Sequence, residues 1–151
     1  MLAREIMTKE VITAKPDDNI DEVARILLEN KISGIPVINA EKQVIGIISE
    51  KDLMIKASEL KIPFYITLFD SIIFMENPIR FKEDIKRFTA SQVKDVMNKK
   101  VIVVEEDTPV SQIVQIMQNK RINRVPVTRH GKLVGIISRN DILKTLVKSN
   151  G

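Results

Sequence analysis

Two segments of the chain carry the same residue types in the same order: Gly46-Ile47-Ile48-Ser49-Glu50-Lys51-Asp52 and Gly135-Ile136-Ile137-Ser138-Arg139-Asn140-Asp141. A serine where a strand hands over to a helix can donate to a phosphate, and the unpaired N–H groups and positive dipole end of that helix favour the same anion. An aspartate three residues on can accept hydrogen bonds from a ribose diol, so the set suits a nucleotide. The same Ser-x-x-acidic spacing is also a plain capping pattern, in which the serine bonds the helix amides itself. One isolated copy reads as a cap; two copies in register point to a ligand.

A second pair of segments precedes these, Ile32-Ser33-Gly34-Ile35-Pro36 and Ile122-Asn123-Arg124-Val125-Pro126. Gly34 lets a backbone approach a flat ligand closely, and a proline is tolerated at a strand start. Arg124 is a candidate phosphate clamp or a solvated surface arginine. Lys120, Arg121, Arg129, Lys132 and Arg139 fall within the same twenty residues, which reads as a local anion site or a basic face. His130 reads as an exposed turn residue.

These segments belong to a longer duplication. Ile6 to Met54 aligns with Val96 to Leu143 at an offset of 90, falling to 89 after a one-residue deletion near His130, with about 14 of roughly 48 positions identical. Each copy predicts strand, helix, strand, strand, helix. The first strands are the β-branched runs Val11 to Ala14 and Val101 to Val104. Helices start at Asp17-Asp18 and at Thr108-Pro109, with Pro109 at the first helical position, and Ile20, Val23, Ala24 and Leu27 or Val110, Ile113, Val114 and Met117 form the buried face. Strand pairs follow at Ile35 to Ile38 with Val44 to Ile48, and at Val125 to Thr128 with Leu133 to Ile137. The expected domains are repeat 1 over 1–57, an insertion over 58–91 and repeat 2 over 92–151. The insertion is apolar from Ile62 to Phe74, read as an extended helix or a dimer face, then charged and helical over Lys82 to Arg87.

Composition narrows the chemistry. There are 151 residues, no cysteine and one histidine, which removes disulfides, thiolate nucleophiles and Cys-ligated metal centres. No catalytic constellation and no metal cluster is visible, so the chain reads as a binding module and not an enzyme. The formal charge of +4 is unevenly spread. Residues 1–57 carry 8 basic and 10 acidic groups, 58–91 five of each, and 92–151 eleven against five, so the excess lies in the second repeat. A nucleic-acid-binding protein using that basic repeat is the first competing reading, although aromatics are scarce. A structural adaptor with no ligand is the second. Met1 to Glu5 leads into no long apolar run, and Ile62 to Met75 falls short of the roughly 20 residues that span a bilayer, which argues for a cytoplasmic protein without a membrane segment.

The duplicated pattern, with Met7-Thr8, Val11-Ile12-Thr13, Gly34-Ile35-Pro36-Val37 and Gly46-Ile47-Ile48-Ser49-x-x-Asp52, resembles the cystathionine-beta-synthase (CBS) domain, and the tandem resembles a CBS pair, or Bateman module. The resemblance implies an α/β (α+β) fold of two βαββα repeats packed about a pseudo-twofold axis. It further implies a regulatory role: binding of AMP, ADP, ATP or S-adenosylmethionine in composite clefts, no required cofactor, a homodimer and a regulated protein partner. Carried over by motif, one site would join Ser138, Asn140 and Asp141 with Ile12, Ile32, Ser33 and Gly34. The other would join Ser49, Lys51 and Asp52 with Ile102, Ile122, Asn123 and Arg124. Asn123-Arg124 in place of Ser33-Gly34 makes the two sites unequal, the Arg124 one better suited to a phosphate chain.

Overall fold

A computed structural model describes residues 1–59 and 78–150. The Ile62 to Phe74 stretch lies outside the described residues. The elements are α1 (Ala3–Ile6), α2 (Ile20–Asn30), β1 (Gly34–Ile38), β2 (Val44–Ser49), α3 (Glu50–Glu59), α4 (Pro78–Ala90), α5 (Val93–Val96), β3 (Val104–Glu105), α6 (Val110–Lys120), β4 (Arg124–Arg129), β5 (Lys132–Ser138) and α7 (Arg139–Lys148). β1 and β2 form a two-stranded sheet, and β3, β4 and β5 form a three-stranded one in that order. The mixed helix and sheet architecture is the one that the sequence implies, and the charged Lys82 to Arg87 stretch is helical within α4.

Two compact units are interleaved along the chain. One takes Met1–Thr13, Pro36–Gly46 and Lys99–Gly151; the other takes Ala14–Ile35 and Ile47–Asn98. In the first unit β3 runs parallel to β4, with Val104 opposite Val127, and β4 runs antiparallel to β5. The core is Ala3, Val104, Ile113, Val125, Val127 and Ile137, with Ile6, Met7, Ile116, Met117 and Ile122 packed against it. Each fully buried valine or isoleucine contributes about 1.5–3 kcal/mol. In the second unit α2 packs against α3 and α4, and α3 against α5. Its buried apolar residues are Ala14, Ile20, Val23, Leu27, Ile35, Ile48, Leu53, Ala57 and Val93.

Each unit is completed by a short arm from the other repeat's sequence. The amides of Ala3 and Arg4 donate to the carbonyls of Thr108 and Glu106 at 2.8 and 2.9 Å, and Thr8 bridges to Ile136 in both directions. In the second unit Val93 and Lys94 donate to Asp18 and Pro16, both at 2.9 Å, and Asn98 bridges to Ile47. The Met7 side chain lies over Gly135, where an added Cβ would stand 2.7 Å from Met7 Cγ. A side chain at 135 is therefore excluded by the arm.

Three local expectations are corrected. Val11 to Ala14 forms no strand beyond a bridge at Ala14, and of Val101 to Val104 only Val104 lies in β3. In each run a single side chain, Ala14 or Val104, is buried, while Ile12 and Val103 stay exposed, so there is no ladder for a longer strand to join. The first helix starts at Ile20 and not at Asp17-Asp18, because Asp18 instead closes a turn by accepting the Lys15 amide at 2.8 Å. Pro109 is the residue before α6 and not its first, with extended backbone at ψ 137°. Its neighbours are drawn outward by the arm, since Val110 donates to the Met1 carbonyl.

α2 and α6 end alike. Lys31 and Arg121 both adopt the left-handed conformation at φ 53°, and the following isoleucines, Ile32 and Ile122, donate back to Leu27 and Met117 at 3.1 Å. This is a Schellman termination, and it turns the chain directly into β1 and β4.

Candidate ligand-binding site

Sheet register delivers the candidate residues of each unit to one strand end. In the first unit Arg124, the first residue of β4, pairs with Ser138, the last of β5. The Arg139 amide then donates to the Asn123 carbonyl at 2.9 Å. Ser138, Asn140 and Asp141 therefore lie beside Asn123 and Arg124. Ile122 is half-buried against the core. Ile102 is half-buried just before β3, on the side where β4 begins. The second unit repeats the arrangement: the Glu50 amide donates to the Ser33 carbonyl at 2.8 Å, so Ser49, Lys51 and Asp52 lie beside Ser33 and Gly34. Gly34 is buried, Ile32 and Ser33 are half-buried and Lys51 is exposed.

Both Ser-x-x-Asp segments close as capping boxes. The Ser138 amide and hydroxyl donate to Asp141 Oδ2 at 2.8 and 3.0 Å, and the Asp141 amide returns to Ser138 Oγ at 3.3 Å. Ser49 and Asp52 do the same at 2.9, 2.9 and 3.4 Å. In each aspartate it is Oδ2 that the cap uses. Asp141 Oδ1 receives the Thr8 hydroxyl at a long 3.4 Å. The arrangement can therefore hold the helix start and still offer a carboxylate oxygen to a hydroxyl donor. Thr8 was visible in the sequence only as a repeat-motif residue; nothing local signalled its reach across 133 positions. Ile12, four residues further along the same arm, is exposed.

The basic residues of the second repeat divide into two groups. Lys120 and Arg121 end α6, Arg124 begins β4 and Arg139 begins α7, so these four share the candidate strand end. Arg129 and Lys132 lie at the opposite end of β4 and β5, about 17 Å along the strand. There Arg129 is spent on Glu106, with Nε and Nη2 donating to the two carboxylate oxygens at 2.8 and 2.9 Å. That forked bond holds the Glu106 carboxyl below its usual range and raises Arg129 in turn. The expectation of a single basic cluster around Arg124 is corrected accordingly, because antiparallel pairing separates residues that are close in sequence. His130, with φ 51°, sits exposed beside Gly131 in the tight turn between β4 and β5.

Among the described residues no group of three or more acidic or histidine side chains is placed to hold a metal, and no helix is long and apolar enough to cross a membrane.

The family model for the CBS domain matches residues 3–59 and 93–148. The protein MJ1426 of Methanocaldococcus jannaschii is 34% identical over 155 residues, spanning 97% of this chain and 92% of that protein. Inosine-5'-monophosphate dehydrogenase of the same organism is 32% identical over 94% of this chain, which corresponds to 23% of the dehydrogenase. Among solved structures, that of CBSX2 in complex with AMP superposes with a TM-score of 0.76 at 22% identity, covering 99% of this chain and 98% of that one. The CBS domain pair of MJ0100, in complex with 5'-methylthioadenosine and S-adenosyl-L-methionine, gives a TM-score of 0.70 at 23% identity, covering 99% and 98%.

Proposed function

The chain belongs to the CBS domain family, and from that premise we propose that it is a regulatory module that binds an adenosine-containing ligand and passes its state to a protein partner. The observation that carries this reading is the doubled strand end: a capped Ser-x-x-Asp helix start beside the residues that open a proline-containing strand, built the same way twice. AMP, ADP, ATP and S-adenosylmethionine are the ligand candidates. The adenosine ligands named for CBSX2 and MJ0100 support that class. The ribose diol binds the Oδ1 atoms of Asp52 and Asp141, and the helix starts at Ser49 and Ser138 receive phosphate or carboxylate oxygens. Lys51 and Asn140 flank those starts. Ile12, Ile32, Ser33, Gly34, Ile102, Ile122, Asn123 and Arg124 are the residues proposed to wall the adenine. The repeats take residues 1–57 and 92–151, with 58–91 as the insertion. No catalytic step is assigned. The protein works in the cytoplasm as a homodimer, and ligand binding changes its shape or self-association.

The closed capping boxes also favour a second reading, a structural adaptor in which serine and aspartate serve only the helices. Calorimetric titration with AMP, ATP, S-adenosylmethionine and a short duplex separates the readings, run on the parent, Asp52→Asn and Asp141→Asn. Saturable binding of one adenosine ligand, lost in the double variant, is expected. A response to none of them supports the adaptor, and retention of binding in the double variant overturns the residue assignment. A ligand at a hundred times its Kd raises stability by about 2.7 kcal/mol, so the same samples give a thermal check.

A further inference from the structure

The helices that follow the two strand pairs, α3 and α7, expose different amounts of apolar surface. On α7, Leu143, Leu146 and Val147 are 51, 58 and 74% exposed. At spacings of three and four residues they adjoin one another on one flank of the helix, so they form a patch and not scattered single residues. The matching places on α3 hold Met54, Ala57 and Ser58, and Ala57 is only 2% exposed. The second repeat therefore carries a leucine and a valine in the open where the first has a covered alanine and a serine. The core of the unit does not call for them, since Ile142 is the α7 residue packed against it.

Charge decides what can cover this patch. α6 and α7 carry four basic groups, Lys120, Arg139, Lys144 and Lys148, against the single acid Asp141. A second α7 laid on this one would set those cations against each other. α2 and α3 have the opposite balance, six acidic groups against Arg25, Lys51 and Lys56. They also expose apolar residues of their own, Leu28, Met54 and Ile55. One chain thus holds a basic face with an apolar patch and an acidic face with another.

We infer that two copies of the chain associate head to tail, the α2 and α3 face of one copy covering the α7 face of the other. A twofold axis makes that contact twice, because each residue pair across it recurs with the copies exchanged. Burial of the apolar patches supplies the attraction, and the opposed charges select which face meets which. The inference rests on the homodimer of the proposed function and is independent of its ligand.

The test is sedimentation equilibrium of the full chain without ligand, at low and high salt. The samples are the parent, Lys144→Glu with Lys148→Glu, Glu50→Lys with Glu59→Lys, and a chain with all four substitutions. All four positions are exposed, so each variant should fold, as far-UV circular dichroism would report. The parent should be a dimer that loosens as salt rises, since screening weakens attraction between unlike faces. Each pair of substitutions should weaken it by about tenfold or more, and the fourfold variant, which exchanges the two signs, should recover most of that loss. Leu146→Ser should weaken the dimer as well. A dimer that tightens with salt, or a fourfold variant weaker than either pair, means that like faces meet and overturns the inference. A dimer unmoved by any of the substitutions overturns it too, while the homodimer stands. A parent that is monomeric at both salts removes the homodimer and the head-to-tail contact together, and leaves the adenosine reading to its own calorimetric test.

Discussion

Asp52→Ala is the substitution whose cost the structure defines most sharply. Asp52 Oδ2 is the acceptor for both the amide and the hydroxyl of Ser49, each at 2.9 Å and half-buried. Removing it leaves two donors without a partner at the start of α3 and deletes an acidic group from a helix N-terminus. Loss of a capping interaction costs about 0.5–2 kcal/mol and the dipole contribution about 0.3–1 kcal/mol, so a loss of about 2 kcal/mol is expected. For a chain of this size that corresponds to a fall of roughly 4–8 °C in Tm. Asp52→Asn retains an acceptor oxygen and should cost about half as much. The assay is urea unfolding of Ser49→Ala, Asp52→Ala and the double variant. Because both residues act through one box, the second substitution should add little, giving a coupling of about 1 kcal/mol. Additive losses, or an Asp52→Ala variant within about 0.3 kcal/mol of the parent, would refute the capping geometry. The outcome also governs ligand experiments, since a binding defect in an alanine variant mixes lost contact with a loosened helix start.

Two further outcomes follow from other parts of the structure. Gly135→Ala should destabilise by about 1–3 kcal/mol, because its Cβ meets Met7 Cγ and Cβ at 2.7 and 3.1 Å, and Met7→Ala introduced alongside should recover part of that loss in denaturant titrations; a neutral Gly135→Ala sinks the idea. Glu106 has its pKa lowered in the folded state by Arg129, so its contribution is present above the usual carboxylate value of 4.5 and is lost as pH falls through the lower folded value. Thermal melts between neutral and acid pH should show a shallower acid decline for Glu106→Gln than for the parent, and parallel curves would disprove the linkage.

Much of this arrangement was readable from residue order, for physical reasons. The strand pairs and their following helices were placed to within a residue or two, because the continuously buried run Gly34–Val37, the alternating burial in Val44–Ser49 and the Ser-x-x-Asp cap are local signals. The short β-branched runs misled, since Val11 to Thr13 has strand-forming residues and no neighbouring ladder. Propensity reports what a segment tolerates, and only tertiary pairing decides whether a strand forms. The basic cluster misled in a related way. Arg124 and Arg129 are five residues apart in sequence, yet an extended strand carries them to opposite ends of the sheet. The Thr8 to Asp141 contact and the arms over Ile47 and Ile136 were out of reach, because nothing in a linear pattern marks partners separated by a third of the chain or more.

The exchanged arms have a consequence for how the protein is made. Residues 3 to 8 leave the ribosome long before the segment from Thr108 to Ile136 that receives them exists, and the first repeat waits in turn for Val93 and Asn98. Neither half of the gene encodes a finished folding unit. Closure of such distant contacts is slow, so the nascent first repeat should stay open to proteases and chaperones until about two thirds of the chain is synthesised. A chain cut in two after α3 would yield fragments each holding the other's missing edge, able to complete themselves only by finding one another.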